Sequence, residues 1–248
     1  MGTLEKYQNQ QYPDLLTAIE LLKPITWFPP MWAFICGAIS TGLVSINTLG
    51  ILLVGLLLAG PIVCGMSQAV NDWCDRHVDA INEPRRPIPS GRMPEKWGLA
   101  IAITLTLLGL SVGWTFGIWG FLPTVLAVFC AWIYSIEPFR LKKSGVWGPF
   151  LVGICYEGLP WFTGAAILSS GLPSMDTITL ALLFALGAFG IMTLNDFKAL
   201  EGDRKTGINS LPVKIGPRAA AKTACVAMIV PQIIVISLFF LAHNPIYA

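Results

Sequence analysis

Seven stretches of this 248-residue chain run almost without charge, at residues 25–46, 49–70, 97–118, 119–136, 145–170, 177–194 and 219–242. Most of them approach or exceed the ~20 residues that an α-helix needs to cross the hydrocarbon core of a bilayer. A helix satisfies its own backbone hydrogen bonds, which lipid cannot do for it. The expected fold is therefore all-α: a polytopic transmembrane bundle of about seven spans. Charged residues make up only 12% of the chain and hydrophobic ones 54%, about half the charged share of an ordinary soluble domain. That excludes disorder, a disulfide-rich secreted scaffold and a nucleic-acid-binding arm, and it makes the lipid bilayer the expected environment. Short junctions near Asn47 and near Ile118–Trp119 predict two helical hairpins.

The basic residues sort by loop. All 16 lysines and arginines lie in the N-terminal segment (Lys6, Lys23) or in the stretches 71–96, 137–144 and 195–222, and the alternate loops hold none. The positive-inside rule then places the N-terminus and the three basic loops in the cytoplasm. Residues 1–24 read as a cytoplasmic N-terminal segment and 25–248 as the transmembrane domain. Within the former, Tyr12–Lys23 suits a short surface helix with Leu15, Leu16, Ile19 and Leu22 on its apolar face. Prolines at 29, 30, 61, 123, 149, 160 and 231 predict kinks and a lined cavity, because each removes a backbone donor. The six cysteines show no paired or metal-type spacing and read as small packing residues.

Chemistry concentrates where apolar spans meet basic loops. After the second span comes Asn71-Asp72-Trp73-Cys74-Asp75-Arg76-His77-Val78-Asp79. At about 100° per residue, Asn71, Asp75, Asp79 and Asp72 fall at about 0, 40, 80 and 100°, on one helix face. Three carboxylates on one stripe repel, so the pattern calls for a cation, and an all-oxygen donor set suits a hard ion such as Mg²⁺. His77 points off this face and His243 sits at the far end of the chain, so neither is expected to act. After the sixth span, Asn195-Asp196 is again followed by an acid seven residues on, Asp203, and Asp196 and Asp203 would lie about 20° apart on an unbroken helix. The two segments suggest an internal pseudo-repeat whose halves face each other as a carboxylate cage. Arg76, Arg85, Arg86, Lys142, Lys198 and Arg204 stand beside the clusters. Carboxylates, Mg²⁺ and basic side chains together make a diphosphate clamp. With a bilayer-embedded cavity behind it, such a clamp suits a prenyl diphosphate. Glu157 is the one acid within an expected span, which marks it as functional. A membrane transporter would share the kinks, the repeat and the intramembrane acid, but its sites lie near the midplane rather than at the boundary.

The pattern NDxxDxxxD at Asn71–Asp79 with the second Asp motif at Asp196–Asp203 resembles the UbiA-type intramembrane prenyltransferases. The longer strings NDWCDRHVDAINEPRRPIPSGR at 71–92, YSIEPFRLK at 134–142, EGLPW at 157–161 and NDFKALEGDRKTGINSLP at 195–212 are similar to the (bacterio)chlorophyll synthase branch. The family usually has nine transmembrane helices, so the resemblance implies that the last of them are missing from residues 25–248. It also implies an Mg²⁺-dependent enzyme, with two ions, in a bacterial photosynthetic inner membrane. The prenyl group of geranylgeranyl or phytyl diphosphate would pass to the propionate of (bacterio)chlorophyllide. A quinone or other aromatic acceptor is the alternative within the superfamily. The expected metal ligands are Asn71, Asp72, Asp75, Asp79, Asn195, Asp196 and Asp203. Arg76, Arg86, Lys142, Lys198 and Arg204 would meet the diphosphate, Arg85 and Arg92 serve only as positive-inside charges, Tyr134 would shelter the allylic cation, and Glu157 would orient the tetrapyrrole or line the pocket near that cation.

Overall fold

Proline and glycine decide where the apolar stretches start, bend and stop as helices. The computed structural model describes residues 12–241, apart from the side chains of Ala199, Lys205 and Thr206. Lys6 and His243 lie outside the described residues. Helix α1 (Leu15–Leu22) is capped by Asp14, whose carboxylate accepts from Thr17 N. It turns Thr17 and Leu21 inward and leaves Leu15 and Leu16 exposed, so its apolar face is offered outward, as in a helix lying along a membrane surface. A single 3₁₀ turn at Pro24–Thr26 leads into α2 (Phe28–Ser40), with Pro29 in its first turn. Gly42, at φ 69°, follows the end of α2. Thirteen residues reach only about 20 Å. The first expected span is therefore too short to cross alone, and among the described residues six helical segments are long and apolar enough to do so.

The second span is one helical run, Ile46–Asn82. It comprises α3 (Leu49–Leu57), a π-helical segment (Leu58–Cys64) and α4 (Gly65–Asn82). Pro61 lies inside the π segment: it has no N–H and its ring would strike the carbonyl one turn back, so the wider turn accommodates it. The same device precedes Pro160, where α7 (Trp147–Gly153) passes through a π segment (Ile154–Gly158) into α8 (Leu159–Ser169). Of the expected proline irregularities, those at Pro61 and Pro160 take the form of π segments, while Pro123 and Pro231 lie within the α-helical runs Gly117–Ser135 and Pro217–Leu241. Between these runs, α5 (Glu95–Thr115) and α6 (Gly117–Ser135) form the hairpin expected near Ile118, turning at Gly117 with φ 68°. The chain continues through α9 (Met175–Asn195), α10 (Leu200–Thr206), α11 (Leu211–Ile215) and α12 (Pro217–Leu241).

The helices meet through small residues, as they must where lipid removes the hydrophobic drive between them. Helices α2 and α8 cross so closely that a Cβ at Gly37 would collide with the Trp161 carbonyl, and one at Gly164 with the Phe34 carbonyl. Large apolar side chains such as Leu53, Leu107, Phe129 and Ile229 face outward, where lipid is their solvent; the chain is a multi-pass membrane protein. Gly164→Ala is expected to destabilise the bundle by roughly 1–3 kcal/mol, because backbone cannot rearrange as a side chain can. Thermal unfolding in detergent measures this, and an unchanged midpoint would contradict the close crossing.

The two Asp segments are not alike in backbone. Asn71–Asp79 lies wholly within α4. Asn195–Asp203 leaves α9, passes a 3₁₀ turn at Asp196–Ala199 and enters α10. The 20° separation expected for Asp196 and Asp203 on one helix therefore does not apply, and their nearness comes from the bend.

Candidate active site

Helix α4 carries its three carboxylates inward: Asp72, Asp75 and Asp79 are all buried. Burying three like charges on one stripe is unfavourable unless each is paired. Each is, by cations from separate parts of the chain. Lys23 Nζ donates to Asp72 Oδ1 at 2.7 Å, and Arg86 Nη1 reaches Asp72 Oδ1 at 3.4 Å and Asp79 Oδ2 at 2.6 Å. Arg140 Nη2 donates to Asp75 Oδ1 at 2.8 Å, while Lys142 Nζ holds Asp75 Oδ2. The repulsion that points to a metal in the bare sequence is thus offset here by side chains. Lys23 and Arg140 both occupy left-handed backbone, at φ 47° and 35°, a conformation uncommon for residues with a Cβ and found at sites where geometry is imposed. Burial pulls the Lys142 ammonium below its ordinary value, with Asp75 pulling it back up. Glu137 is held below the usual carboxylate range by its bonds to Lys143 and Arg140.

The second acidic pair comes close. Asp203 is buried, and its charge acts on Asp196. Tyr134, at the end of α6, feels the charges of both Asp196 and Asp75, so it stands near both acidic groups. The loop carrying Asn209 is tied to the loop of Arg140 and Lys142: Asn209 O accepts from Gly145 N at 2.8 Å and Asn209 N donates to Lys143 O at 3.2 Å. Asn71 Nδ2 donates to Ser135 Oγ at 3.2 Å.

Not every expected residue joins them. Arg76 turns away, with Nε donating to Glu95 at 2.8 Å and its guanidinium 4.5 Å above the Trp73 ring. Lys198 and Arg204 are exposed and form no ion pair with a described residue. His77 is exposed, off the acidic face as expected. Arg92 does more than supply a positive charge: it makes a two-pronged ion pair with Glu20 and donates to the Arg85 carbonyl, tying α1 to the 83–94 loop. Conversely, Lys23 and Arg140 act on the stripe although neither was among the expected diphosphate residues. Arg140 lies inside YSIEPFRLK beside Lys142, which is the signal that could have found it. Lys23, 49 residues from Asp72, has no local signal at all.

Among the described residues, no three His, Cys, Asp or Glu side chains converge to hold a metal by themselves. The donors still fit a hard divalent cation as a partial shell. Aspartate and asparagine oxygens are the only types on the face, and Asp72 Oδ2 is buried with no hydrogen-bond partner. Such ions commonly complete their shell with water and phosphate.

Behind the stripe lies a cavity of about 670 Å³, within the usual range of small-molecule sites. Asn71, Tyr134 and Asn195 stand at one part of its wall, and Phe34 and Gly55 at another. Both π segments border it, one through Cys64 and the other through Cys155, Tyr156 and Glu157. Among the described residues Glu157 is the only carboxyl in the wall, and it makes no hydrogen bond or ion pair with any of them.

Residues 26–248 match the model of the UbiA prenyltransferase family. The chain belongs to that family. It is 61% identical over 236 residues to the bacteriochlorophyll synthase 33 kDa chain of Cereibacter sphaeroides, covering 95% of this chain and 78% of the relative. Identity to the Rhodobacter capsulatus chain of the same description is 59% over 243 residues, covering 97% and 80%. The fold also matches a solved UbiA homologue from Archaeoglobus fulgidus bound to DMAPP and Mg²⁺, with a TM-score of 0.74 at 20% identity, over 93% of this chain and 85% of that one. The all-helical bundle read from hydropathy is thus the UbiA architecture, with an acidic face joined to a membrane cavity.

Proposed function

We propose that this UbiA-family chain transfers a prenyl group from geranylgeranyl or phytyl diphosphate to the propionate carboxylate of (bacterio)chlorophyllide, forming the esterified pigment and diphosphate. The observation that carries the reading is the buried, cation-paired Asp stripe of α4 beside an apolar cavity, in a chain 61% identical to a bacteriochlorophyll synthase chain. The cavity takes the prenyl tail and the acceptor's ring system. The acidic and basic groups take the diphosphate. Arg86, Lys142, Arg140 and Lys23 face the leaving group, and in this reading Lys198 and Arg204 swing in when it binds. Asn71, Asp72, Asp75 and Asp79 on one side, and Asn195, Asp196 and Asp203 on the other, would hold Mg²⁺, two ions in this reading. When bound, the cation supplies stabilisation of negative charge on the departing diphosphate.

The allylic C–O bond breaks with its electron pair leaving on the diphosphate, and a carboxylate oxygen of the acceptor forms the new C–O bond. The acceptor is already anionic, so no strong general base is required. Tyr134 lines the cavity near both acidic groups, where its ring can shelter the allylic cation. Glu157, deeper in the wall, orients the tetrapyrrole or faces the cation.

The test offers the purified protein Mg²⁺, geranylgeranyl diphosphate and, in parallel, chlorophyllide, bacteriochlorophyllide and an aromatic acid. The expected product is a prenyl ester of the pigment, lost when EDTA removes the divalent cation and regained on adding it back. Prenylation of the aromatic acid alone would overturn the reading. The orientation in which all basic loops are cytoplasmic makes its own prediction. Cys74, partly exposed on α4, should react with a membrane-impermeant maleimide only in inside-out vesicles. Labelling in intact cells would reverse the topology.

A further inference from the structure

Among the described residues no lysine or arginine lines the cavity, yet an ester-forming reaction brings an anionic carboxylate into it. A carboxylate withdrawn from water must find hydrogen-bond donors. Most hydroxyl protons in the wall are already committed to backbone carbonyls: Thr26 to Lys23, Ser67 to Cys64, Thr124 to Gly120 and Thr163 to Leu159. The Cys64 thiol has its own acceptor, the Thr26 carbonyl at 3.3 Å. Tyr134, Asn71 and Asn195 lie beside the acidic groups, where a second anion is repelled.

One helical turn along α4 from Asn71, the arrangement changes. Gln68 Nε2 donates to Tyr156 Oη at 3.0 Å. That bond uses one of the two amide protons and one lone pair of the phenol. The remaining amide proton has no oxygen or nitrogen acceptor among the described residues, and beyond Gln68 the Tyr156 hydroxyl meets the Cys64 sulfur at 3.6 Å, a weak partner that an anion would displace. Both side chains line the cavity. The two donors therefore sit side by side, with Gln68 about 4.5 Å along the helix axis from Asn71. Glu157 follows Tyr156 in sequence but makes no hydrogen bond to either member of this pair.

We propose that Gln68 and Tyr156 form the seat of the acceptor's carboxylate, holding one oxygen by two hydrogen bonds so that the other faces the allylic carbon. The inference rests on the ester-forming reading above and adds to it a recognition site for a carboxylate carried on a large apolar ring system.

The test measures binding of chlorophyllide and of its propionate methyl ester, by pigment fluorescence, to the parent protein and to Tyr156→Phe and Gln68→Glu. The parent is expected to prefer the free acid. Tyr156→Phe should weaken the acid about tenfold, the typical effect of losing a hydrogen bond to a charged group, and leave the ester nearly unchanged. Gln68→Glu adds a negative charge of the same shape and should reverse the preference. Geranylgeranyl diphosphate affinity should hold in both. Equal weakening of acid and ester would mean a packing role and overturn the proposal, as would an acid preference that survives both substitutions. If Tyr156→Phe does not fold, the reversal in Gln68→Glu decides alone. A parent that binds neither pigment and forms no ester overturns the functional reading together with this inference. A parent that forms the ester but keeps its preference in both variants overturns this inference only.

Discussion

Asp72→Ala is expected to abolish turnover while the protein still inserts and folds. Asp72 is fully buried; its Oδ1 is held by Lys23 and Arg86 and its Oδ2 has no partner. It thus has a buried oxygen still to give. Removing it deletes the ligand, takes from Lys23 its carboxylate and leaves Arg86 with Asp79 alone. Interactions of this kind, aimed at charge that develops in the transition state, are worth about 10²–10³ in rate. Folding should survive, because Arg86 keeps Asp79 and the Lys23 side chain is 26% exposed, so its ammonium can turn to water. Asp72→Asn, the same shape without the charge, should fail nearly as badly. The measurement is steady-state turnover at saturating Mg²⁺ and prenyl diphosphate, beside the thermal midpoint in detergent. Near-normal turnover in Asp72→Ala would reject the role given to the stripe. The same substitution at Asp196 should also abolish turnover, since Asp203 alone would then face the diphosphate on that side.

The second large effect is expected at Glu157. Its carboxyl lies in the wall of a cavity inside the membrane without a partner among the described residues. That placement is costly. Glu157→Gln keeps the shape and most of the hydrogen-bonding capacity and removes the ionisable group. If Glu157 faces the cation or orients the acceptor, turnover should fall at least tenfold, about 1.4 kcal/mol in activation free energy, with prenyl diphosphate affinity unchanged. If it only packs helices together, Gln should be nearly neutral, because membrane side-chain hydrogen bonds average ~0.6 kcal/mol. A rate equal to the parent's at saturating substrates would remove Glu157 from the mechanism. Weakened diphosphate affinity with an unchanged rate would instead move it to the rim.

The π segment Ile154–Gly158 helps explain why Glu157 reaches the cavity along with its two neighbours. Successive residues of an α-helix point about 100° apart, and the wider turn brings three in a row, Cys155, Tyr156 and Glu157, onto one wall. Pro160 announces an irregularity there, but nothing local to the sequence says which side chains it turns inward.

Hydropathy, charge and periodicity were enough to specify the bundle. An apolar stretch of about 20 residues has few alternatives to a spanning helix. Three carboxylates at Asp72, Asp75 and Asp79 share a face wherever that helix goes. The α5–α6 hairpin was legible for the same reason, since its turn at Gly117 is a local event. Only the tertiary structure decided which cation meets which carboxylate. Lys23 lies 49 residues from Asp72, and Arg140 and Lys142 lie 65 and 67 residues from Asp75. Arg76, four residues from Asp72, is drawn instead to Glu95 and Trp73. Helical periodicity carries information over one or two turns. Partners brought together by the path of the chain between spans, the cavity, and the Gln68–Tyr156 pair in its wall depend on how the helices cross, and that is set by contacts such as those of Gly37 and Gly164 rather than by any pattern within a single segment.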